Sequence, residues 1–407
     1  DTCIKIGGLV RADYGWNVRG GRTPHYAGVS GAKDRTVAQY STRHRGNLQV
    51  DTRTQSAYGT LRTFTSLHFQ NEDGAFSHNL ARGFIQWAGF TFGHAQSFQD
   101  TWGITDSWHY TQQQNNSDTG ANGVNQIAYT WELGNGITLT AGADEVRRKS
   151  LTNLSAANAI RIGVEPSSSF HGQRWPDAYL ALKVNQAWGY WATSFVAHDV
   201  SATYYNANVG TGVCSAVSTT STSATPLASC GHPSDKVGWA AQTGAEFKMD
   251  AITPGDRLGF GFRYAVGASG FGGGSNLASP ALFAANNEVA VGQMTDGVFV
   301  NGGAIQLTTT WTVMGGYEHN WTPNFKSSFA AGYSEVLYNA TAKAHYATNV
   351  CPAATQTGFN GGTLSTNCDP DWGFFQGGVR TQWTPVRGFY LGVDVMYSHV
   401  YTAFKGA

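Results

Sequence analysis

Charged residues are scarce in this chain of 407 residues: Asp, Glu, Lys and Arg make up 13% of it, against about 25% in ordinary soluble proteins. The sequence has no run of about 18 apolar residues, so no segment is predicted to be a membrane-spanning helix. Its 26 basic and 26 acidic residues balance, which argues against a general nucleic-acid-binding protein, because such proteins are basic.

Motifs for catalysis and for cofactors are also lacking. The twelve His residues show no metal-ligand spacing. The Gly-rich stretch 270–274 lacks the Gly-Lys-Ser/Thr of a phosphate loop and is interpreted as flexible surface. His198-Asp199 has no Gly-x-Ser-x-Gly nucleophile elbow beside it, which favours a polar histidine near the rim over a hydrolase site. We therefore predict no enzymatic activity and no cofactor.

Cysteine is rare as well, with five residues, an odd number. Cys214 and Cys230 bracket one Ser/Thr-rich segment, and Cys351 and Cys368 bracket another that is rich in Gly and Thr. Pairing within each segment predicts two disulfides and an oxidising compartment. Four free thiols or a metal site are the alternatives, although no Cys-x-x-Cys knuckle is present. Cys3 is left without an assigned partner.

What the sequence has in abundance is alternation of period two. At 258–266 every second residue is Leu, Phe, Phe, Tyr or Val, and at 389–397 every second residue is Phe, Leu, Val, Val or Tyr. Side chains of a strand point alternately to its two faces, so each stretch has one apolar and one polar face. The polar face is too small and too polar for the core of a soluble sandwich. The pattern predicts an all-β transmembrane antiparallel barrel, apolar outside and wet inside.

Fifteen strands are predicted, with connections of alternating length. The strands lie near 3–16, 41–55, 60–70, 80–87, 90–97, 124–133, 137–147, 177–187, 190–201, 237–250, 257–268, 304–319, 325–338, 373–384 and 389–402. Long connections are predicted at 17–40, 71–79, 98–123, 148–176, 202–236, 269–303 and 339–372. Short periplasmic turns and long external loops are typical of an outer-membrane barrel. Six tryptophans near the short turns fit a periplasmic aromatic girdle, namely Trp87, Trp131, Trp188, Trp191, Trp321 and Trp383.

An odd number of strands does not close a bacterial barrel of this type. We expect residues 1–407 to form a single barrel domain of sixteen strands, with an N-terminal extension and the final strand missing from this sequence. A barrel of that size leaves an aqueous channel.

Several stretches resemble the porins of alphaproteobacteria. They are Asp1-Thr2-Cys3-Ile4-Lys5-Ile6-Gly7-Gly8, Tyr58-Gly59-Thr60-Leu61-Arg62-Thr63, Phe84-Ile85-Gln86-Trp87-Ala88-Gly89 and Pro385-Val386-Arg387-Gly388-Phe389-Tyr390. The resemblance implies a sixteen-stranded, trimeric outer-membrane porin with an inward-folded third loop, surrounded by lipid and lipopolysaccharide.

Charge is distributed unevenly around that third loop. The loop at 98–123 contains Asp100, Asp106 and Asp118 and neither Lys nor Arg. The four strands before it carry bases with inward parity: Lys5, Arg11, Arg43, Arg45, Arg53, Arg62 and Arg82. A loop folded into the barrel would oppose carboxylates to guanidiniums across a narrow gap and create a transverse field there. Solvated pairs that only stiffen the barrel are the alternative. Parity alone adds further inward candidates, namely Glu132, Glu246, Arg257, Arg263, Arg380 and Asp394.

The function predicted from these features is passive diffusion of small hydrophilic solutes and ions. A channel selective for a sugar or an anion is the first alternative. Phe64, Phe84 and Tyr390 have inward parity but form no continuous aromatic track in the sequence. A surface adhesin or receptor barrel, with loops braced by disulfides, is the second alternative.

Overall fold

The computed structural model describes residues 2–16, 40–101, 123–146, 150–155, 169–170, 172–206, 230–273, 281–285, 288–351 and 368–404. In chain order the elements are β1 (Thr2–Trp16), β2 (Tyr40–Ser56), β3 (Gly59–Glu72), β4 (Ala75–Trp87), β5 (Phe90–Ala95), β6 (Val124–Gly134), β7 (Ile137–Asp144), β8 (Leu151–Asn153), β9 (Asp177–Gln186), β10 (Gly189–Val200), β11 (Tyr205–Asn206), β12 (Cys230–Gly231), β13 (Lys236–Lys248), β14 (Arg257–Val266), α1 (Ser269–Gly272), β15 (Ala281–Ala285), β16 (Glu288–Gly292), β17 (Gly297–Phe299), β18 (Gln306–Leu307), β19 (Thr309–Thr322), β20 (Phe325–Leu337), α2 (Ala340–Asn349), β21 (Trp372–Val386) and β22 (Phe389–Tyr401).

Fifteen of these strands form one antiparallel sheet in the order β1-β2-β3-β4-β5-β6-β7-β9-β10-β13-β14-β19-β20-β21-β22. Each strand is therefore hydrogen-bonded to the sheet strand that precedes or follows it along the chain. This meander is the connectivity of an up-and-down barrel, in which short hairpins join neighbours. All fifteen predicted strands coincide with strands of this sheet, and the predicted all-β barrel class is confirmed.

The two faces of the sheet differ in burial as the alternation predicts. On β14, Leu258, Phe260 and Phe262 are 37–45% exposed, whereas Arg263 and Ala265 are fully buried. We call the exposed apolar face the outer face and the other the inner face. The same division runs along β10, where Phe195 is exposed and Ser194 and Val196 are buried. Apolar side chains that face outward suit contact with lipid.

Aromatic rings gather at the short-turn end of the sheet. Trp87, Trp131, Trp188, Trp321 and Trp383 are each more than a third exposed. The sixth, Trp191, is half-buried and donates from Nε1 to Thr243 Oγ1 at 3.0 Å. Rings with an apolar body and a polar N–H suit the boundary between hydrocarbon and water.

The long connection predicted at 71–79 is wrong. β3 continues to Glu72 and β4 begins at Ala75, so that only Asp73 and Gly74 join them. Their φ angles are 50° and 87°, the left-handed region that a two-residue type I′ hairpin requires and that Asp-Gly favours. Asp73 also exchanges hydrogen bonds with the backbone of Thr42, which ties the turn to β2.

The other long connections contain short elements that alternation does not reveal. β17 pairs in parallel with β8 and antiparallel with β18, so two distant connections share one small sheet. The helix α1 is buried, so the interpretation of the Gly-rich stretch as flexible surface is wrong for residues 270–273. Residues 306–307, predicted as the start of a barrel strand, belong to β18 instead.

The last long connection is built around α2. Asn339 begins this helix, and its side chain accepts a hydrogen bond from Ala342 N at 2.8 Å. Tyr346 of α2 is fully buried in a cluster with Tyr338, Trp372 and Phe404. The Cys351–Cys368 disulfide lies beside this cluster, with 6.1 Å between the Cα atoms. The second predicted disulfide, to Cys214, lies outside the described residues. Neither helix of the described residues is long and apolar enough to cross a membrane.

Candidate functional site

The seven predicted basic residues lie on the inner face of β1–β4. In the register, Arg11 is opposite Arg45, Lys5 is opposite Asp51, and Arg53 is opposite Arg62. We call these seven side chains the basic wall. The four strands carry three carboxylates, Asp13, Asp51 and Glu72, against the seven cations. The wall therefore has a clear excess of positive charge.

Two carboxylates are held by pairs of arginines. Asp13 accepts from Arg11 Nε at 2.7 Å and lies 2.9 Å from Arg43 Nη2. Asp51 lies 2.9 Å from Arg62 Nη2 and 3.5 Å from Arg53 Nη2. Each carboxylate thus keeps two like charges together on neighbouring strands.

The other two arginines of the wall are held by neutral acceptors. Arg45 donates from Nε and Nη2 to Gln70 Oε1, at 2.9 and 2.6 Å. Arg82 donates from Nη1 to the carbonyl oxygen of Ala81 at 2.6 Å. These hydrogen bonds help to orient the two guanidiniums.

After β5 the chain crosses the inner face and contacts β6, β10 and β13. Gln126 of β6 donates to the carbonyl oxygen of Gln96 at 2.8 Å. Ser194 of β10 donates to the carbonyl oxygen of Gln99 at 2.7 Å. Gln242 of β13 donates to Gln99 Oε1 at 2.5 Å. Residues 96–101, which we call the inner segment, therefore lie across the interior face of several strands.

Apolar contacts hold the inner segment to the same strands. Phe98 packs beside a buried cluster that includes Tyr179, Val196, Ala240 and Phe271. Lys183 Nζ is 5.4 Å from the centre of the Phe98 ring, a distance at which a cation is attracted to a ring. Phe271 belongs to α1, so a second connection is packed inward next to the first.

Of the three predicted acidic residues of the loop, the structure describes Asp100. This carboxylate is fully buried. Gln96 Nε2 donates to it at 3.1 Å and Gln99 Nε2 at 3.3 Å. Both of these donors belong to the inner segment. Asp106 and Asp118 lie outside the described residues.

A second charged cluster lies on the inner face of β13–β21. Glu318 is bound by Arg257 at 2.5 Å, Arg380 at 3.0 Å and Lys326 at 3.2 Å, and Arg257 also lies 3.4 Å from Glu246. The alternation pointed to Glu246, Arg257 and Arg380 but not to Glu318. It could have pointed to Glu318 as well, because Glu318 has the same parity on β19 as Thr310, Thr312 and Met314, and all four are buried.

The remaining parity candidates also occupy the inner face. Arg263 is fully buried. Asp394 is opposite Arg380, and Glu132 is opposite Thr138. His198 lies 2.7 Å from Asp177 and 3.6 Å from Asp296, and all three are buried. It is therefore a polar group in the interior, held between two carboxylates.

In the part of the chain that the structure describes, no group of three or more His, Cys, Asp and Glu side chains is arranged to hold a metal ion. The inner face instead combines fixed charges with hydrogen-bonding groups. Such a surface can order water and guide ions.

Comparisons with known proteins agree with this arrangement. The chain is similar in structure to the outer-membrane channel DcaP of Acinetobacter baumannii, with a TM-score of 0.58, 14% identity, and coverage of 99% of this chain and 94% of that one. It is also similar to an anion-selective porin from Comamonas acidovorans, with a TM-score of 0.50, 8% identity, and coverage of 98% and 90%. A comparison with curated sequences found no significant match. The model of the Porin subfamily matches residues 1–405, and the chain therefore belongs to this family of outer-membrane channel proteins, through which solutes diffuse.

Proposed function

We propose that this porin is a general diffusion channel whose narrowest part lies between the inward-folded loop 98–123 and the basic wall. The observation that supports this most directly is the anchoring of Gln99 by Ser194 and Gln242. These donors belong to β10 and β13, several strands away from β5, so the chain has to enter the interior to reach them. A loop that enters the interior reduces the cross-section open to solutes.

We propose in addition that the charge at this constriction favours anions. Strands β1–β4 carry the seven cations of the basic wall and three carboxylates, and Asp100 of the loop is buried. Rings or rows of fixed charge concentrate ions of opposite sign and so set selectivity. The similar porin from Comamonas acidovorans is itself anion-selective, which agrees with this second candidate.

The assembly that we propose is a homotrimer in the outer membrane, with lipopolysaccharide around it, as the resemblance to alphaproteobacterial porins implies. The outer face supports this assembly because its exposed apolar side chains, such as Phe195 and Phe260, suit either lipid or a neighbouring subunit. Three channels that insert together give current steps in groups of three.

The test is single-channel recording of the protein in a planar bilayer with a KCl gradient across it. We expect large, steady, ohmic steps in groups of three, and a reversal potential of the sign that chloride preference gives. Small or absent conductance would contradict the open channel. A reversal potential of the opposite sign would contradict only the anion preference. Block of the current by a sugar would instead favour the selective alternative.

A further inference from the structure

Arg45 is a cation of the basic wall that has hydrogen-bond donors to spare. In the register it is opposite Arg11 of β1 and Gln70 of β3. Its Nε and Nη2 groups both donate to Gln70 Oε1, and in the described part of the chain the side chain forms no ion pair. A guanidinium has five N–H donors. The Nη1 group of this half-buried side chain is therefore left to bind a further acceptor.

His68 lies diagonally across from Arg45 on the same face of the sheet. Arg45 is opposite Gln70 and His68 is opposite Asn47, one inner-face position further along both strands. Diagonal neighbours of this kind are about 7–8 Å apart, so one small ligand can contact both side chains. His68 is 9% exposed, yet among the described residues its imidazole has no hydrogen-bond partner. Buried polar groups rarely lack a partner, which points to a solute at this position.

The charges that act on His68 are mainly positive. They are Arg43 and Arg45 from β2 and Arg82 from β4. On β3 itself the acid is Glu72, two inner-face positions from His68. On β1, Asp13 is bound by Arg11 and Arg43. A bound dianion compensates the excess of positive charge, so its binding and the protonation of His68 favour each other.

We propose that Arg45 and His68 form a subsite for small divalent oxyanions, with sulfate as the probe. The planar guanidinium matches an oxyanion in charge and geometry, and a protonated imidazole adds a second charged donor. Chloride is a single atom and gains less from two donors set apart on different strands. The subsite deepens the proposed anion preference and rests on the proposed function, since solutes reach it only through an open lumen.

The experiment measures block of the single-channel current in KCl by added sulfate, at pH 8 and at pH 5. Sulfate is a dianion at both pH values, so a change in its block reports titration of the protein. We expect the half-blocking concentration to be about threefold to tenfold lower at pH 5, the size of one charge interaction at contact distance in water. Equal block at the two pH values would overturn the subsite. The steps in KCl alone test the open channel separately.

Two variants locate the block. His68→Gln removes the titratable group and keeps a polar side chain of similar length, so we expect its sulfate block to be the same at pH 5 and pH 8. Arg45→Gln removes the guanidinium, and we expect it to raise the half-blocking concentration about threefold to tenfold at both pH values.

Each variant has a matched control. His78→Gln makes the same change on β4 at an exposed position of the outer face, opposite Phe69, and should keep the pH dependence of the wild type. Arg53→Gln removes the same charge from the same face of β2, eight residues away, where the side chain is 59% exposed. PH dependence that persists in His68→Gln, or equal effects of Arg45→Gln and Arg53→Gln on sulfate block, would overturn the assignment.

Discussion

At the scale of single residues, Asp256 shows how one carboxylate can organise a turn. It precedes β14, is fully buried, and accepts hydrogen bonds from Tyr317 Oη at 2.5 Å, His319 Nδ1 at 2.7 Å and Asn320 N at 2.8 Å. Burial acts to raise the pKa of Asp256, but these hydrogen bonds outweigh it and lower the pKa to about 2. The ionised form is therefore the one that joins the turn to β19.

We expect Asp256→Ala to lower the stability of the barrel by about 1–3 kcal/mol, because the half-buried residues Tyr317, His319 and Asn320 lose a charged acceptor. The effect depends on pH. Since the folded pKa is below the unfolded value of about 3.9, the stabilisation is complete above that value and is lost as the pH falls towards about 2. The measurement is the thermal unfolding midpoint in detergent at pH 7 and pH 2.5. The two proteins should differ less at pH 2.5.

The control for this variant is Asp250→Ala in the same turn. Asp250 is exposed and accepts from Gly255 N at 2.7 Å, so its loss should cost less than about 1 kcal/mol. Equal losses for the two variants, or a difference at pH 2.5 as large as at pH 7, would contradict the role given to Asp256.

At the scale of residues, strand parity predicts the face of the sheet on which a side chain lies. Arg257, Arg263 and Arg380 occupy the inner face as their positions in the alternation indicate. The role of Asp256 was out of reach, because its partners lie about sixty residues further along the chain and the register that brings them together is a tertiary property. Parity states the face on which a side chain lies, but not the groups that it meets there.

At the scale of elements, alternation predicts strands well because each barrel strand has a lipid side and a water side along its whole length. It fails inside the long connections, where β17 pairs with β18 and α1 packs against β14 and β19. Burial on all sides removes the polar face that creates the pattern. The Asp73-Gly74 hairpin was missed for another reason. The sequence does contain the Asp-Gly pair that favours a tight turn, but residues 75–79 after it alternate too weakly to be predicted as a strand.

The anchoring of the inner segment gives a prediction at this scale. The double variant Ser194→Ala, Gln242→Ala removes the donors to the two oxygens of Gln99. A buried acceptor left without a donor costs about 1–3 kcal/mol, enough for residues 96–101 to detach from β10 and β13 part of the time. We expect more frequent current fluctuations and a changed mean conductance in single-channel recordings.

The matched control for that variant is Thr193→Ala, Thr243→Ala. These residues lie on the same two strands but on the opposite face, and each donates from Oγ1 to a backbone carbonyl oxygen. Steady current in this control, together with unchanged assembly of both variants, assigns the fluctuations to the inner segment. Fluctuations of the same frequency in both would show that they arise from general loosening of β10 and β13.

At the scale of the whole molecule, a chain with balanced charge has an unbalanced interior. The 26 basic and 26 acidic residues cancel, yet the inner face collects seven cations on β1–β4 and a cluster of mixed charges around Glu318 on β13–β21. Net charge therefore says little about selectivity. The field that an ion meets depends on the charges at the narrowest point, and those are a matter of register.

The contribution of the basic wall can be measured with one charge removed at a time. Arg45 is held by the neutral Gln70, so Arg45→Gln removes a positive charge and leaves no carboxylate unpaired. We expect its reversal potential in a KCl gradient to move away from the chloride side. Asp13→Asn removes the carboxylate between Arg11 and Arg43 and should move it the other way. Both shifts should shrink at high salt, because screening shortens the range of the field.

Arg387→Gln is the control, since Arg387 lies exposed in the short turn between β21 and β22. A shift for Arg387→Gln as large as for Arg45→Gln would mean that charge anywhere on the barrel sets selectivity and that the basic wall has no special part in it.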